Sequence, residues 1–294
     1  MSGKTVAVLM PGDMGHAVGR ALGQHGHRPV TCLAGRSERT RVLAEAGGFT
    51  QIDSFRTLVD EADLVLSILP PAAAGELAGQ VAEAMAEAGS FPPFADCNAI
   101  SPSTVRAIGK TMEAAGAPFI DAGIIGAAPG RDEPRFYASG PDTAPLETLD
   151  GCGFRVVSIG PEIGKASGLK MCYAGLTKGT WTLHTAILVA AESLGLSKEL
   201  NDEFSFSQAA ALNQMQARVP FIPADSDRWI GEMEEIAATF RDAGVTDGFH
   251  EGAAEIFRLL TRTPFAEETR ENMDRSRTLE EAVTVYAQHL SHED

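Results

Sequence analysis

The sequence predicts an α/β domain built on a mostly parallel sheet, followed by an all-α C-terminal domain, with one long interdomain helix joining the two. Three observations carry this. Short β-branched runs alternate with helix-period segments over residues 1–160, a glycine turn links the first run to the first helix, and strand signals stop at Gly160-Pro161. Residues 1–160 accordingly read as the sheet domain and 161–294 as the helical one.

Taken in order, Val6 to Met10 is β-branched, and Met14, Ala17, Val18, Ala21 and Leu22 then recur at helical spacing. That is strand, turn, helix. The unit repeats, with Pro29 to Ala34 strand-like, Thr40 to Ala46 helical, and Phe55 to Glu61 a short helix before a strand over Asp63 to Leu69. Phe94 to Asn98 reads as a strand and Ser103 to Ala115 as a helix, while Pro118 to Asp121, Phe136 to Ser139 and Phe154 to Ser158 read as further strands. Beyond them helices are expected over 164–195, 198–217, 228–242, 249–261 and 279–290, with Ser197, Ser226 and Thr278 as N-caps.

The chain has 294 residues and a net charge of −16, so phosphate backbones and anionic membranes would be repelled by most of its surface. Nucleic acid and membrane are not expected partners. The four cysteines show neither metal-ligand spacing nor a disulfide framework, which fits a reducing cytoplasm and no metal. The run VAVLM meets Pro-Gly at once, so it reads as a buried strand rather than a signal peptide, and the apolar run at Ala186 to Ala191 is too short to span a bilayer.

Gly12-x-x-Gly15, after a strand and opening a helix, has a physical reason. A bare Gly12 lets a pyrophosphate approach the helix N-terminus, and Gly15 permits close helix-on-strand packing. Met10 stands where such a turn usually has its first glycine; Pro11 pre-sets one backbone angle and can hold the turn without it. Asp13 reads as the cap of the helix beside it. The second strand runs into Gly35-Arg36-Ser37-Glu38-Arg39 instead of the acid that would bind a ribose 2′-hydroxyl, and Arg36, Ser37 and Arg39 suit a 2′-phosphate. NADP(H) is therefore favoured over NAD(H).

On the long helix after Gly164, Lys170, Tyr173, Thr177, Trp181 and His184 share one face, and Leu169, Cys172, Leu176 and Leu183 share the neighbouring one. The first stripe reads equally as a functional face or as an interdomain face with packed aromatics. Trp229, Met233, Ile236, Ala237 and Phe240 lie at core spacing, and His250 at a helix start reads as structural.

These pieces resemble the β-hydroxyacid dehydrogenase and 6-phosphogluconate dehydrogenase-like superfamily. The resemblance rests on Met10 to Leu22, Gly35-Arg36-Ser37, Ala62 to Pro70 (ADLVLSILP), Asp96 to Pro102 (DCNAISP), Asp121 to Gly130 (DAGIIGAAPG) and Gly160 to Tyr173 (GPEIGKASGLKMCY). It implies a Rossmann domain, a long interdomain helix and a helical domain that usually dimerises. It also maps the family's catalytic lysine onto Lys170, with Pro11, Gly12, Asp13, Met14, Gly15, Arg36, Ser37, Arg39, Leu69, Pro70 and Asn98 at the cofactor. The substrate would meet Ile125, Gly126, Ala127 and Tyr173, where the family's serine has become Ile125 and its asparagine Tyr173. The later Lys-Asp pair of the family appears as Glu234-Glu235.

The expectation is a cytoplasmic, homodimeric NADP(H)-dependent oxidoreductase acting on a small alcohol or carbonyl between its domains, with Lys170 as proton donor or acceptor. Imine reduction and a catalytically silent nucleotide sensor are the alternatives.

Overall fold

Val6 and Val8 face one side of a sheet while Ala7 and Leu9 face the other, and hydrophobic clusters cover both sides. A strand buried on both faces carries no polar alternation, which explains its uninterrupted apolar run. The computed structural model describes residues 3–290. Its first compact unit, Met1–Met171, contains β1 (Thr5–Val8), α1 (Asp13–Gln24), β2 (Arg28–Cys32), α2 (Glu38–Ala46), β3 (Thr50–Ile52), α3 (Phe55–Glu61), β4 (Leu64–Ser67) and α4 (Pro71–Ala88). Then follow β5 (Phe94–Asp96), α5 (Pro102–Ala115), β6 (Phe119–Ile125), β7 (Arg135–Ser139), the single turn α6 (Ala144–Glu147) and β8 (Arg155–Ser158).

The strands form one eight-stranded sheet in the order β3-β2-β1-β4-β5-β6-β7-β8. Neighbours are parallel except β6 and β7, which pair antiparallel from Asp121 opposite Ser139 to Ile125 opposite Arg135. The chain runs outward from β1 through β2 to β3 and then returns to β4 on the other side of β1. That reversal opens a crevice at the carboxyl ends of β1 and β4, where ligands of such sheets bind. Two elements carry weak sequence signals: β3 has three residues, and α4 has alanine on several faces, which blurs its period. β6 continues through Gly123 to Ile125, four residues beyond the expected end at Asp121.

The long helix α7 (Lys165–Ser193) starts within the first unit and continues into the second, Cys172–Asp294. Its first turns stay with the sheet because Asp121 of β6 holds them. The second unit adds α8 (Ser197–Ser207), α9 (Ala209–Arg218), α10 (Pro223–Asp242), α11 (Gly248–Leu260) and α12 (Leu279–Gln288). The stretch expected as one helix over 198–217 is broken at Gln208 (φ −137°, ψ 38°). Ser205 and Ser207 bond back to the carbonyls of Asn201 and Glu203, a habit that weakens a helix from within.

Thr278 caps α12, as expected, and the structure adds a reciprocal bond from Glu281. Ser197 and Ser226 are not caps. Ser197 is the first residue of α8 itself, and Ser226 lies inside α10, which begins earlier at Pro223 because proline suits a first helical turn.

Trp229 of α10 packs between Trp181 and Phe257 with the rings tilted, at 5.2 and 5.5 Å between ring centres. Met233, Ile236 and Ala237 are buried with it, so this segment is core. Lys178 and Glu232 form a buried ion pair at 2.7 Å. Buried Arg277 bridges Glu268, the Pro220 carbonyl and the ring of Phe265, tying the segment before α12 to the chain before α10. Among the described residues no helix is long and apolar enough to cross a membrane, and no group of three or more His, Cys, Asp or Glu is placed to hold a metal ion.

Candidate active site

The turn after β1 is built by Pro11. Gly12 N–H donates to the Met10 carbonyl at 2.7 Å, closing a three-residue turn over the buried proline, and this replaces the missing first glycine. The two remaining glycines serve different needs. A Cβ at Gly15 would sit 2.7 Å from the Met10 oxygen, so the helix can lie against the turn only if residue 15 is bare. A Cβ at Gly12 would meet nothing within 4 Å, and its backbone (φ −84°, ψ −160°) is open to any residue. The fold does not need Gly12. What its missing side chain provides is open space in front of the N-terminus of α1, a cradle for an anion.

Asp13 is not the cap of α1. Gly12 holds that position, and the Asp13 carboxylate reaches across to Arg39 of α2 at 2.6 Å. Its charge at the cradle is thereby offset. Met14 packs onto the core beneath. Past β2, Gly35 turns at φ +70°, Ser37 caps α2 by accepting from Thr40 N–H, and Arg41 donates to the Leu33 carbonyl. Arg36 differs, because its Nε is buried without a hydrogen-bond partner. An unsatisfied guanidinium nitrogen is costly, and an anionic oxygen would satisfy it. The open cradle and this orphan donor both fit a phosphorylated dinucleotide.

At the next strand ends, Asn98 works as a clamp. Its Oδ1 accepts from Leu69 N–H at 2.7 Å, and its amide donates to Ser67 Oγ at 2.9 Å and Asp96 Oδ2 at 3.0 Å. Both amide hydrogens are used inside the protein, so Asn98 shapes the half-exposed Leu69-Pro70 loop rather than presenting its amide outward. Burial pushes the Asp96 carboxyl up to about 7, against the pull of its bonds from Asn98.

β6 ends at Ile125, half-buried, and Gly126 and Ala127, both exposed, follow it. Gly126 has φ +121°, and a Cβ there would lie 3.0 Å from Pro134 Cα. Behind them Asp121 accepts hydrogen bonds from Ser139 Oγ, from the N–H groups of Gly164, Ala166 and Ser167, and from Ser167 Oγ. Lys170, half-buried, lies just beyond on α7 with its stem against Gly123. These side chains gather at the carboxyl edge of the sheet. Tyr173, 47% exposed, belongs to the second unit.

Residues 5–148 match the model of the NAD binding domain of 6-phosphogluconate dehydrogenase, and residues 191–260 match a domain of unknown function, DUF1932. The first unit thus carries an NAD binding domain of the 6-phosphogluconate dehydrogenase type, and the chain is similar to that superfamily. An uncharacterised 28.5 kDa protein of Methanothermus fervidus is 29% identical over 170 residues, 58% of this chain and 64% of that protein. The chain thus aligns with under two thirds of this relative's length. A conserved protein of unknown function, MTH1747, described as structurally similar to 3-hydroxyacid dehydrogenases, superposes with TM-score 0.64 at 26% identity, covering 87% of this chain and 96% of its own. A 3-hydroxyisobutyrate dehydrogenase from Salmonella typhimurium shares the fold at TM-score 0.68 and 17% identity, covering 98% and 100%.

Two residues that meet the start of α7 escaped the sequence reading. Asp121 and Gly123 stand in the quoted DAG stretch, but the partners that give them meaning lie about forty residues downstream. His250 packs on Phe240 at 4.2 Å, and Glu234 pairs with Arg258; both occupy structural positions in the helical unit.

Proposed function

We propose that the chain is an NADP(H)-dependent oxidoreductase interconverting a small alcohol and its carbonyl. The observation that carries this reading is Lys170, seated against β6 at the same sheet edge as the Gly12 cradle and the unpaired Nε of Arg36. A bound nicotinamide would supply or accept the hydride. The protein's own part is to cradle the pyrophosphate at Gly12, engage a 2′-phosphate with Arg36, and hold the Lys170 ammonium at the reacting oxygen. There it donates a proton to the forming alkoxide in reduction and takes it back in oxidation. Retention of a cationic lysine favours oxygen chemistry over imine reduction, because a cation assists an alkoxide and repels an iminium.

Ile125, Gly126 and Ala127 offer no side-chain donor, so the substrate read here is less polar at that end than a hydroxy acid gripped by a serine. Tyr173 is proposed as a second contact to substrate. A homodimer is proposed as well, because the second unit exposes Leu176 (71%), Leu183 (58%) and Leu194 (71%), apolar area that a symmetric partner would bury.

The test is NADPH consumption across alcohol, carbonyl and imine panels, comparing wild type with Lys170→Met and Tyr173→Phe. Lys170→Met should bind NADPH normally and turn over roughly 10²–10⁴ more slowly, with a smaller loss for Tyr173→Phe. Wild-type turnover by Lys170→Met would remove the assignment, and NADPH binding with no consumption on any panel would favour a sensor.

A further inference from the structure

The amides at the start of α7 can be accounted for one by one. Gly168 N–H makes the first regular bond, to the Gly164 carbonyl, so the donors ahead of it have no partner inside the helix. Lys165 N–H turns back to the Glu162 carbonyl at 3.3 Å. The N–H groups of Gly164, Ala166 and Ser167 all reach one carboxylate from another element, Asp121 Oδ2, at 2.7, 3.1 and 3.3 Å, and Ala166 N–H is shared with Ser139 Oγ at 3.0 Å. Ser167 Oγ adds a bond to Oδ1 at 2.6 Å and Ser139 Oγ one to Oδ2 at 2.9 Å. Asp121, Ser139 and Ser167 are all within 1% of full burial. A buried carboxylate at a helix N-terminus is held by charge-assisted bonds and by the helix dipole together. Among the described residues, Ser37, Ser54, Ser101 and Thr278 each cap the helix that follows them directly in the chain.

We propose that Asp121 is the positioning residue for Lys170, acting through α7. It fixes where the helix begins along its axis, and Lys170 follows Ser167 by three residues, a rise of about 4.5 Å. Gly123, two residues along β6, fixes how close the helix lies, since a Cβ there would stand 2.8 Å from both Lys170 Cβ and the Ala166 oxygen. Axial and lateral position of the lysine stem are thus both set by one tripeptide, Asp121-Ala122-Gly123. The proposal rests on the reading of Lys170 as the proton-transfer group, but half of its test does not require turnover.

The experiment compares wild type, Asp121→Asn, Gly123→Ala and Ser167→Ala. Pulse acylation across pH, read peptide by peptide by mass spectrometry, gives the reactivity of Lys170 against Lys110 and Lys198 in the same sample. Asp121→Asn should change the Lys170 rate about threefold or more while the reference lysines keep theirs, and should lower kcat roughly 10- to 100-fold with KM and NADPH Kd nearly unchanged. Gly123→Ala should act in the same way. Ser167→Ala, which removes one donor and leaves the helix amides in place, should show a smaller change of the same kind and carries the test if Asp121→Asn does not fold. Unchanged Lys170 reactivity in a folded Asp121→Asn or Ser167→Ala protein overturns the proposal, as does a change shared equally by Lys110 and Lys198. Failure to find any substrate would defeat the oxidoreductase reading and leave the acylation result standing.

Discussion

Gly12 and Gly15 look alike in the sequence and differ in what they are for. A side chain at Gly15 collides with the backbone of its own turn, whereas one at Gly12 enters open space. Gly12→Val should therefore leave the melting temperature within a few degrees of wild type and abolish NADPH binding, as read by calorimetry and fluorescence titration. Gly15→Val should lose the fold. If Gly12→Val binds NADPH as well as wild type does, the cradle is not where the pyrophosphate sits. Arg36 gives a second single-residue prediction. Arg36→Ala should weaken NADPH by about 1.5–3 kcal/mol, the worth of a charge-assisted bond, and NADH much less. Arg39→Ala should do less than Arg36→Ala, because its guanidinium is already engaged by Asp13. Equal losses for both cofactors would count against a 2′-phosphate contact.

Among the elements, those legible in the sequence are the ones whose cause is local. β1, α1, α3 and the cap of α12 follow from apolar period, turn residues and a capping box, all within a few positions of one another. α4 was obscured by alanine, which fits any face, and the end of β6 by a glycine that usually weakens a strand. That glycine is there for α7, a partner forty-odd residues away that no local window contains. The sequence names Asn98 for a place at the cofactor, but its role as a clamp was not legible, because Ser67 and Leu69 arrive from β4 and the loop after it. At this scale the Arg277 bridge makes a prediction. Arg277→Met should cost the helical unit more than Arg155→Met costs the sheet unit. The first leaves half-buried Glu268 without its partner, while the second breaks only a surface pair. Equal shifts in the two melting temperatures would contradict it.

For the whole molecule, acidity should act in opposite directions through Asp96 and through the histidines, of which His27 lies in the sheet unit with its pKa lowered by burial and by Lys4. In the helical unit burial lowers the pKa of His184 and His250 below 6.5, so the unfolded chain binds more protons and stability falls as pH drops below 6.5. In the sheet unit Asp96 is raised from 3.8 to about 7, so the folded state keeps a proton that the unfolded state has released. Its contribution is therefore present at low pH and declines as pH rises from 3.8 to about 7. Calorimetry from pH 5 to 8 should show the two slopes, with Asp96→Asn flattening one and His250→Gln reducing the other; a single common slope would contradict the assignment. The anchoring of α7 also reaches into folding order. Asp121 and the amides it binds are 43 to 46 positions apart, so the first turn of α7 cannot be secured until β6 and β7 have paired. Helix beginnings ordinarily fray and lose their amide protons to solvent early. Here the amides of Gly164, Ala166 and Ser167 should rank with the central strands as the last to exchange for deuterium, released only when the sheet itself opens.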